Sequence, residues 1–211
     1  TYGFTETGEL VRPDDEQMRA LAKDFGVTTL LHLSTLTEQG SFSAQSAGAV
    51  LENETARAAL IRNTVREMRD GGFVGIDVDF EFLGKALAAS YAAFLQELSQ
   101  AVHTAGGYLM AAVAPKTSDT QPGVLYEGHD YAAIGKAVDQ VLLMTYECAQ
   151  LAHTPKSLEN QGEKEGQYLH KPPHGQAFPE STWQTHDLAK NQIVRCCRQI
   201  KFRNLKSVRM Q

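Results

Sequence analysis

Gly72-Phe73-Val74-Gly75-Ile76-Asp77-Val78-Asp79-Phe80-Glu81-Phe82 sets three acids at every second position among bulky apolar residues. Side chains alternate across a strand. The spacing therefore predicts Asp77, Asp79 and Glu81 on one face and Ile76, Val78, Phe80 and Phe82 on the other. A solvated surface strand alternates in the same way. Here Gly71-Gly72 come first, apolar residues run on to Phe82 and helical patterns flank the stretch. Together these predict a buried parallel strand with its acids gathered at the C-terminal end. Clustered acids in such a place are costly unless they have a chemical task.

Upstream, Asn53 suits the N-cap of a helix reaching Asp70, with Ala56, Leu60, Thr64 and Met68 on one side and Gly71-Gly72 closing it. Val27 to Ser34 predicts a buried strand in which His32 is expected as a hydrogen-bonded core residue. Before it, Pro13 and Asp14-Asp15-Glu16 fit the first turn of a helix whose apolar face is Met18, Leu21, Ala22 and Phe25. Thr1 to Thr5 reads as the tail of a strand, with Thr7-Gly8-Glu9 as the turn after it. The polar loop Thr35 to Ser43, carrying Phe42, suits a binding loop and a plain connection equally.

Downstream, a helix from about Ala86 to Ala105 is expected to bury Leu87, Tyr91, Phe94, Leu95, Leu98 and Val102. The strand Tyr108 to Ala114, a short helix around Ala132 to Ala137 and the strand Gln140 to Tyr146 follow. Strands alternating with helices, each strand apolar throughout, predict an α/β fold with a parallel sheet covered on both faces. A doubly wound sheet and a (β/α)8 TIM barrel both fit. Polar residues at strand ends, Asp77/Asp79/Glu81 and Tyr146/Glu147, favour the barrel, whose chemistry sits at that rim. The sequence lacks a GxGxxG loop after its first strand, which weakens a dinucleotide-binding alternative.

Composition narrows the function classes. The 211 residues are 42% hydrophobic and 21% charged, as expected of about one globular domain, and no apolar run approaches the about 20 residues of a membrane helix. Residues 1–147 carry 20 acids and 10 Lys or Arg, whereas 148–211 carry 5 and 10. An acidic body disfavours a nucleic-acid surface. Cys148, Cys196 and Cys197 have no CxxC spacing, so neither a zinc site nor a disulfide framework is expected. Residues 148–211 show helical spacing only from Leu188 to Phe202 and are otherwise an unassigned tail, linker or out-of-register segment. No secretory signal is visible, and because the chain opens directly on Thr1-Tyr2-Gly3-Phe4 the start of the protein is expected to lie upstream.

Residues on one face of a strand recur about every 6.6–6.8 Å, so Asp79 can reach both acid neighbours while Asp77 and Glu81 cannot reach each other. Crowded like charges push at least one carboxyl upward, which would let Glu81 act as a general acid. A calcium loop fits poorly, because Val78 and Phe80 separate the acids and no Gly takes the sharp-turn position. A magnesium-dependent phosphotransfer site remains a rival.

The acid stretch resembles the DGxxGxDxDxE signature of glycoside hydrolase family 18, and Met144-Thr145-Tyr146-Glu147 resembles that family's Met-x-Tyr-Asp segment on the sixth barrel strand. Ala114-Pro115-Lys116 and Leu125-Tyr126-Glu127-Gly128-His129-Asp130-Tyr131 are similar to segments of its spore cortical-fragment-lytic and peptidoglycan branch. The resemblance covers residues 1–147 and implies part of a barrel, its second to sixth strands. It implies that Glu81 protonates the glycosidic oxygen, Asp79 orients the substrate's 2-acetamido group, Asp77 holds Asp79 and Tyr146 bonds the acetamido carbonyl. Met144 and Glu147 would contact the sugar, Glu147 standing where many chitinases have Asp. The substrate's N-acetyl oxygen then attacks the anomeric carbon, so no cofactor or metal is needed. The implied partner is a polysaccharide containing N-acetylglucosamine, either peptidoglycan or chitin, met outside the cytoplasm at a cell wall or spore. A non-catalytic glycan-binding barrel is the alternative from another class. The family's floor tryptophan belongs to its eighth strand, whereas Trp183 has no strand pattern around it. Five strands leave a barrel's edges open, which predicts self-association and a loosely held site.

Overall fold

A computed structural model describes residues 1–37, 39–116, 118–144 and 208–210. Expectations for Thr145, Tyr146, Glu147, Trp183, the three cysteines and the 188–202 helix lie outside them.

At the N-terminus, β1 (Gly3–Phe4) pairs antiparallel with β2 (Leu10–Val11) around the expected turn. Gly8 turns there with φ 83°, and a Cβ on it would come within 2.3 Å of the Ala56 carbonyl oxygen, so only glycine fits. Tyr2, just before β1, bridges in parallel to Leu33, which seats the start of the chain beside the main sheet.

Helix α1 (Glu16–Asp24) departs from expectation. Met18 and Phe25 are 64% and 79% exposed, and none of its residues is buried, although their spacing predicts a core face. Periodicity reports which residues share a face, not whether anything covers it. The next strand also begins later than predicted. Val27 donates its N–H to the Ala22 carbonyl, winding the helix end through Gly26, and β3 spans Leu30–Ser34.

Helix α2 (Ala44–Leu51) is absent from the sequence expectations, because its small residues and Gly48 give little periodic signal. Ser43 caps it by accepting from the Ser46 N–H, and Ala47, Val50 and Leu51 pack inward. Asn53 caps α3 (Glu54–Asp70) as expected, accepting from the Ala56 N–H at 3.1 Å. β4 (Gly75–Asp79), α4 (Gly84–Thr104), β5 (Tyr108–Val113), α5 (Val124–Glu127), α6 (Tyr131–Ala137), β6 (Gln140–Leu143) and β7 (Val208–Met210) complete the described elements. β7 falls where the sequence shows no strand pattern.

The main sheet is parallel throughout, in the order β3-β4-β5-β6-β7. β3 to β6 therefore each lie beside their sequence neighbour, with the acid strand β4 paired on both sides, by β3 and β5. Behind β4, Phe80 stacks on Tyr91 and Phe94 of α4, both at 5.5 Å between ring centroids, and meets Phe4 at 5.2 Å. Ile76, Val78 and Phe80 are fully buried, as the alternation requires.

Candidate active site

The strand proper ends at Asp79, and the chain turns away beyond it. Phe82 adopts φ 56°, a left-handed conformation that costs a bulky residue about 1–2 kcal/mol. That turn corrects one expectation: Phe82 is 41% exposed rather than buried beside Ile76, and its ring meets Phe42 of the Thr35 to Ser43 loop at 5.9 Å. The acids stay on the opposite face from the core. Asp77 is buried, whereas Asp79 and Glu81 are half-buried.

Register supplies the partner that sequence reasoning placed elsewhere. Parallel pairing sets His32 level with Asp77 and Ser34 level with Asp79. His32 is accordingly no core residue. Its side chain is 35% exposed and its Nδ1 lies 2.8 Å from Asp77 Oδ2, with Nε2 3.8 Å from Asp79 Oδ2. The hydrogen bond was expected but not its destination, since only strand pairing reveals which face His32 shares.

A second group ties the strand ends together. His129 is buried, accepting from the Ala114 N–H at Nδ1 (3.1 Å) and donating from Nε2 to the Phe80 carbonyl (2.9 Å). It thus clamps the residues that follow β4 and β5. Lys116 Nζ donates to the His129 carbonyl and the Tyr131 hydroxyl to that of Ala114, closing a network at the rim. Burial holds the Lys116 ammonium below its ordinary range. His129 and Tyr131 lie in the segment whose resemblance to the family the sequence shows, but nothing in that resemblance assigns them this clamp.

Both ring nitrogens of His129 are satisfied in the neutral form, and burial pushes its pKa from 6.5 down to about 4. The unfolded chain therefore binds a proton that the folded chain refuses between those values. Stability from this group is fully present above pH 6.5 and is lost as pH falls to about 4, by roughly 3 kcal/mol in all. Urea unfolding at a series of pH values should show that loss. His129→Gln should lack this part of the slope, and identical slopes in both proteins would refute the assignment.

Met144 lies just past β6, buried against Ala112 and Ala114, with its N–H on the Val113 carbonyl. Thus His32, Asp77 and Asp79 share one face of β3 and β4, Glu81 follows β4, and the His129 clamp joins the residues just past β4 and β5. Among the described residues no three His, Cys, Asp or Glu side chains converge as a metal cage.

The sequence profile of the Glycosyl hydrolases family 18 matches residues 2–191. The chain belongs to that family. It is 37% identical over 158 residues to the cortical fragment-lytic enzyme of Bacillus subtilis (strain 168), covering 75% of this chain and 36% of that protein. The spore cortex-lytic enzyme SleL of Bacillus megaterium QM B1551 superposes with a TM-score of 0.69 at 27% identity, over 100% of this chain and 41% of that one. A chitinase from Chromobacterium violaceum ATCC 12472 superposes at 0.64 with 26% identity, over 69% and 46%. The chain thus spans less than half the length of each of these relatives.

Proposed function

We propose that this chain carries the acid strand of a (β/α)8-barrel glycoside hydrolase that cleaves β-1,4-linked N-acetylglucosamine polymers with retention, using the substrate's own acetamido group. The observation that carries this is the row Asp77, Asp79, Glu81 at the C-terminal end of a central parallel strand, inside the region matched to the family. Strand order supports the barrel, because β3 to β6 follow chain order without the reversal that defines a doubly wound sheet. Residues 1–147 then carry the partial catalytic barrel, to whose sheet Val208–Met210 add the strand beside β6.

In this mechanism Glu81 gives its proton to the glycosidic oxygen and Asp79 orients the acetamido group and stabilises the positive charge it acquires; the expected hold of Asp77 on Asp79 is absent, because Asp77 bonds His32 instead. The acetamido oxygen attacks the anomeric carbon as the glycosidic bond breaks; water then opens the cyclic intermediate and returns the proton to Glu81. Tyr146 bonds the acetamido carbonyl, while Met144 and Glu147 contact the sugar. Phe82, exposed one residue after Glu81 and in ring contact with the half-buried Phe42, offers an apolar surface on which a pyranose ring can stack. Similarity to the cortical fragment-lytic enzyme favours peptidoglycan over chitin, and with it a place of action outside the cytoplasm, at a wall or spore.

Product analysis on defined peptidoglycan fragments and chitin oligomers tests this. Cleavage should survive dialysis against EDTA, and glycans lacking the 2-acetamido group should react at least about 10²-fold more slowly, since the positioned nucleophile is gone. Activity abolished by EDTA and restored by magnesium would overturn the metal-free, substrate-assisted assignment. Glycan binding without cleavage would establish a lectin-like barrel.

A further inference from the structure

Asp77 is a buried carboxylate with little to hold it. Its Oδ1 has no hydrogen-bond partner among the described residues, and its Oδ2 is held by His32 Nδ1 at 2.8 Å. Removing the partner of a buried charged group is among the most destabilising changes a site can suffer. The other imidazole nitrogen faces Asp79 at 3.8 Å, so one ring spans two acids that recur on the same strand face. Two carboxylates at that spacing oppose each other's ionisation, whereas an imidazolium set against both relieves the repulsion. From behind the strand, the charges of Asp79 and Asp77 reach the Tyr91 phenol of α4. Burial above all, and then those charges, push its ionisation well above the usual range, so it stays neutral. On β3 itself Ser34 contributes no charge, and the Tyr2 hydroxyl is engaged by Asp15 and Glu67. His32 is thus the cation-forming group set against the pair among the described residues.

We infer that His32 is a positioning residue for the acid row: its Nδ1–H fixes Asp77 at 2.8 Å, and its second nitrogen faces Asp79 at 3.8 Å, so one ring sets the spacing of both acids. The inference rests on the proposed hydrolysis, because the placement of Asp79 is what the acetamido group requires. His32 acts through the acids and touches no substrate.

The test compares His32→Leu, which loses both contacts, with His32→Asn, whose amide can replace the Nδ1–H donor but cannot take up a proton. On N-acetylglucosamine oligomers, His32→Leu should lose about 10- to 10²-fold in kcat with KM little changed, the scale of a displaced catalytic group. His32→Asn should recover a measurable part of that kcat loss, again with KM little changed. Unchanged kcat in His32→Leu, or a His32→Asn variant no better than His32→Leu, would overturn the inference. The His32 Nδ1 resonance by nitrogen-15 NMR in the full chain, with and without Asp77→Asn, gives a second readout independent of any substrate. The substitution should move that resonance, and an unmoved one would sink the inference even in an active enzyme. A moved resonance in a chain that cleaves no glycan would instead leave the pairing intact and remove the hydrolysis.

Discussion

Glu81→Gln should lower turnover on N-acetylglucosamine oligomers by at least about 10²-fold while leaving oligomer binding close to wild type, since a general acid contributes about 10²–10⁴-fold. The substitution keeps size and hydrogen-bonding reach and removes only the proton to be given. Glu81 sits two residues beyond the last paired position of β4, half-buried at the open end of the sheet, where it can meet a ligand without dismantling the core. Substrates with an activated leaving group, which need less protonation, should recover much of the lost rate. Steady-state kinetics on both substrate types decide the matter: an equal rate for mutant and wild type on the natural linkage would remove Glu81 from the mechanism.

Phe80→Ala should cost about 3–5 kcal/mol of stability, the range for deleting a fully buried aromatic. Phe80 is 0% exposed and lies among Phe4, Tyr91 and Phe94, so truncation leaves a cavity walled by rings that cannot all close in. Its carbonyl also accepts the His129 bond, which the side-chain change leaves in place. Phe80→Leu should cost distinctly less, because most of the volume stays filled. Urea unfolding of the three proteins measures both differences, and a loss below about 1 kcal/mol for the alanine variant would show that the stack contributes little.

What the sequence made legible follows from which interactions are local. The Asn53 cap, the buried stripe from Leu87 to Val102 and the alternation through Asp77, Asp79 and Glu81 are written in consecutive residues, and each appears where the pattern places it. His32 was misplaced because its apolar neighbours describe one strand only, whereas its partner is set by the register with another strand 45 positions later. Phe82 was misplaced because strict alternation assumes that the strand continues, and a left-handed turn ends it. α1 shows the opposite failure: a strong apolar face in the sequence, with Met18, Leu21 and Phe25 left uncovered among the described residues. The rim network of Lys116, His129 and Tyr131 depends on contacts across two loops and leaves only a faint compositional trace.

The unbroken order of β3 to β6 also bears on how the chain acquires its structure. Leu30 pairs with Gly75, Gly75 with Tyr108 and Met110 with Gln140, so each new strand docks on the one synthesised just before it. Closing such neighbouring segments loses somewhat less chain entropy than joining distant ends, since the loss grows with length, though only slowly. A sheet of this kind can be laid down in the direction of translation, each helix settling before the following strand leaves the ribosome. The Asp77–His32 pair would then form as soon as β4 docks, well before β6 has been made.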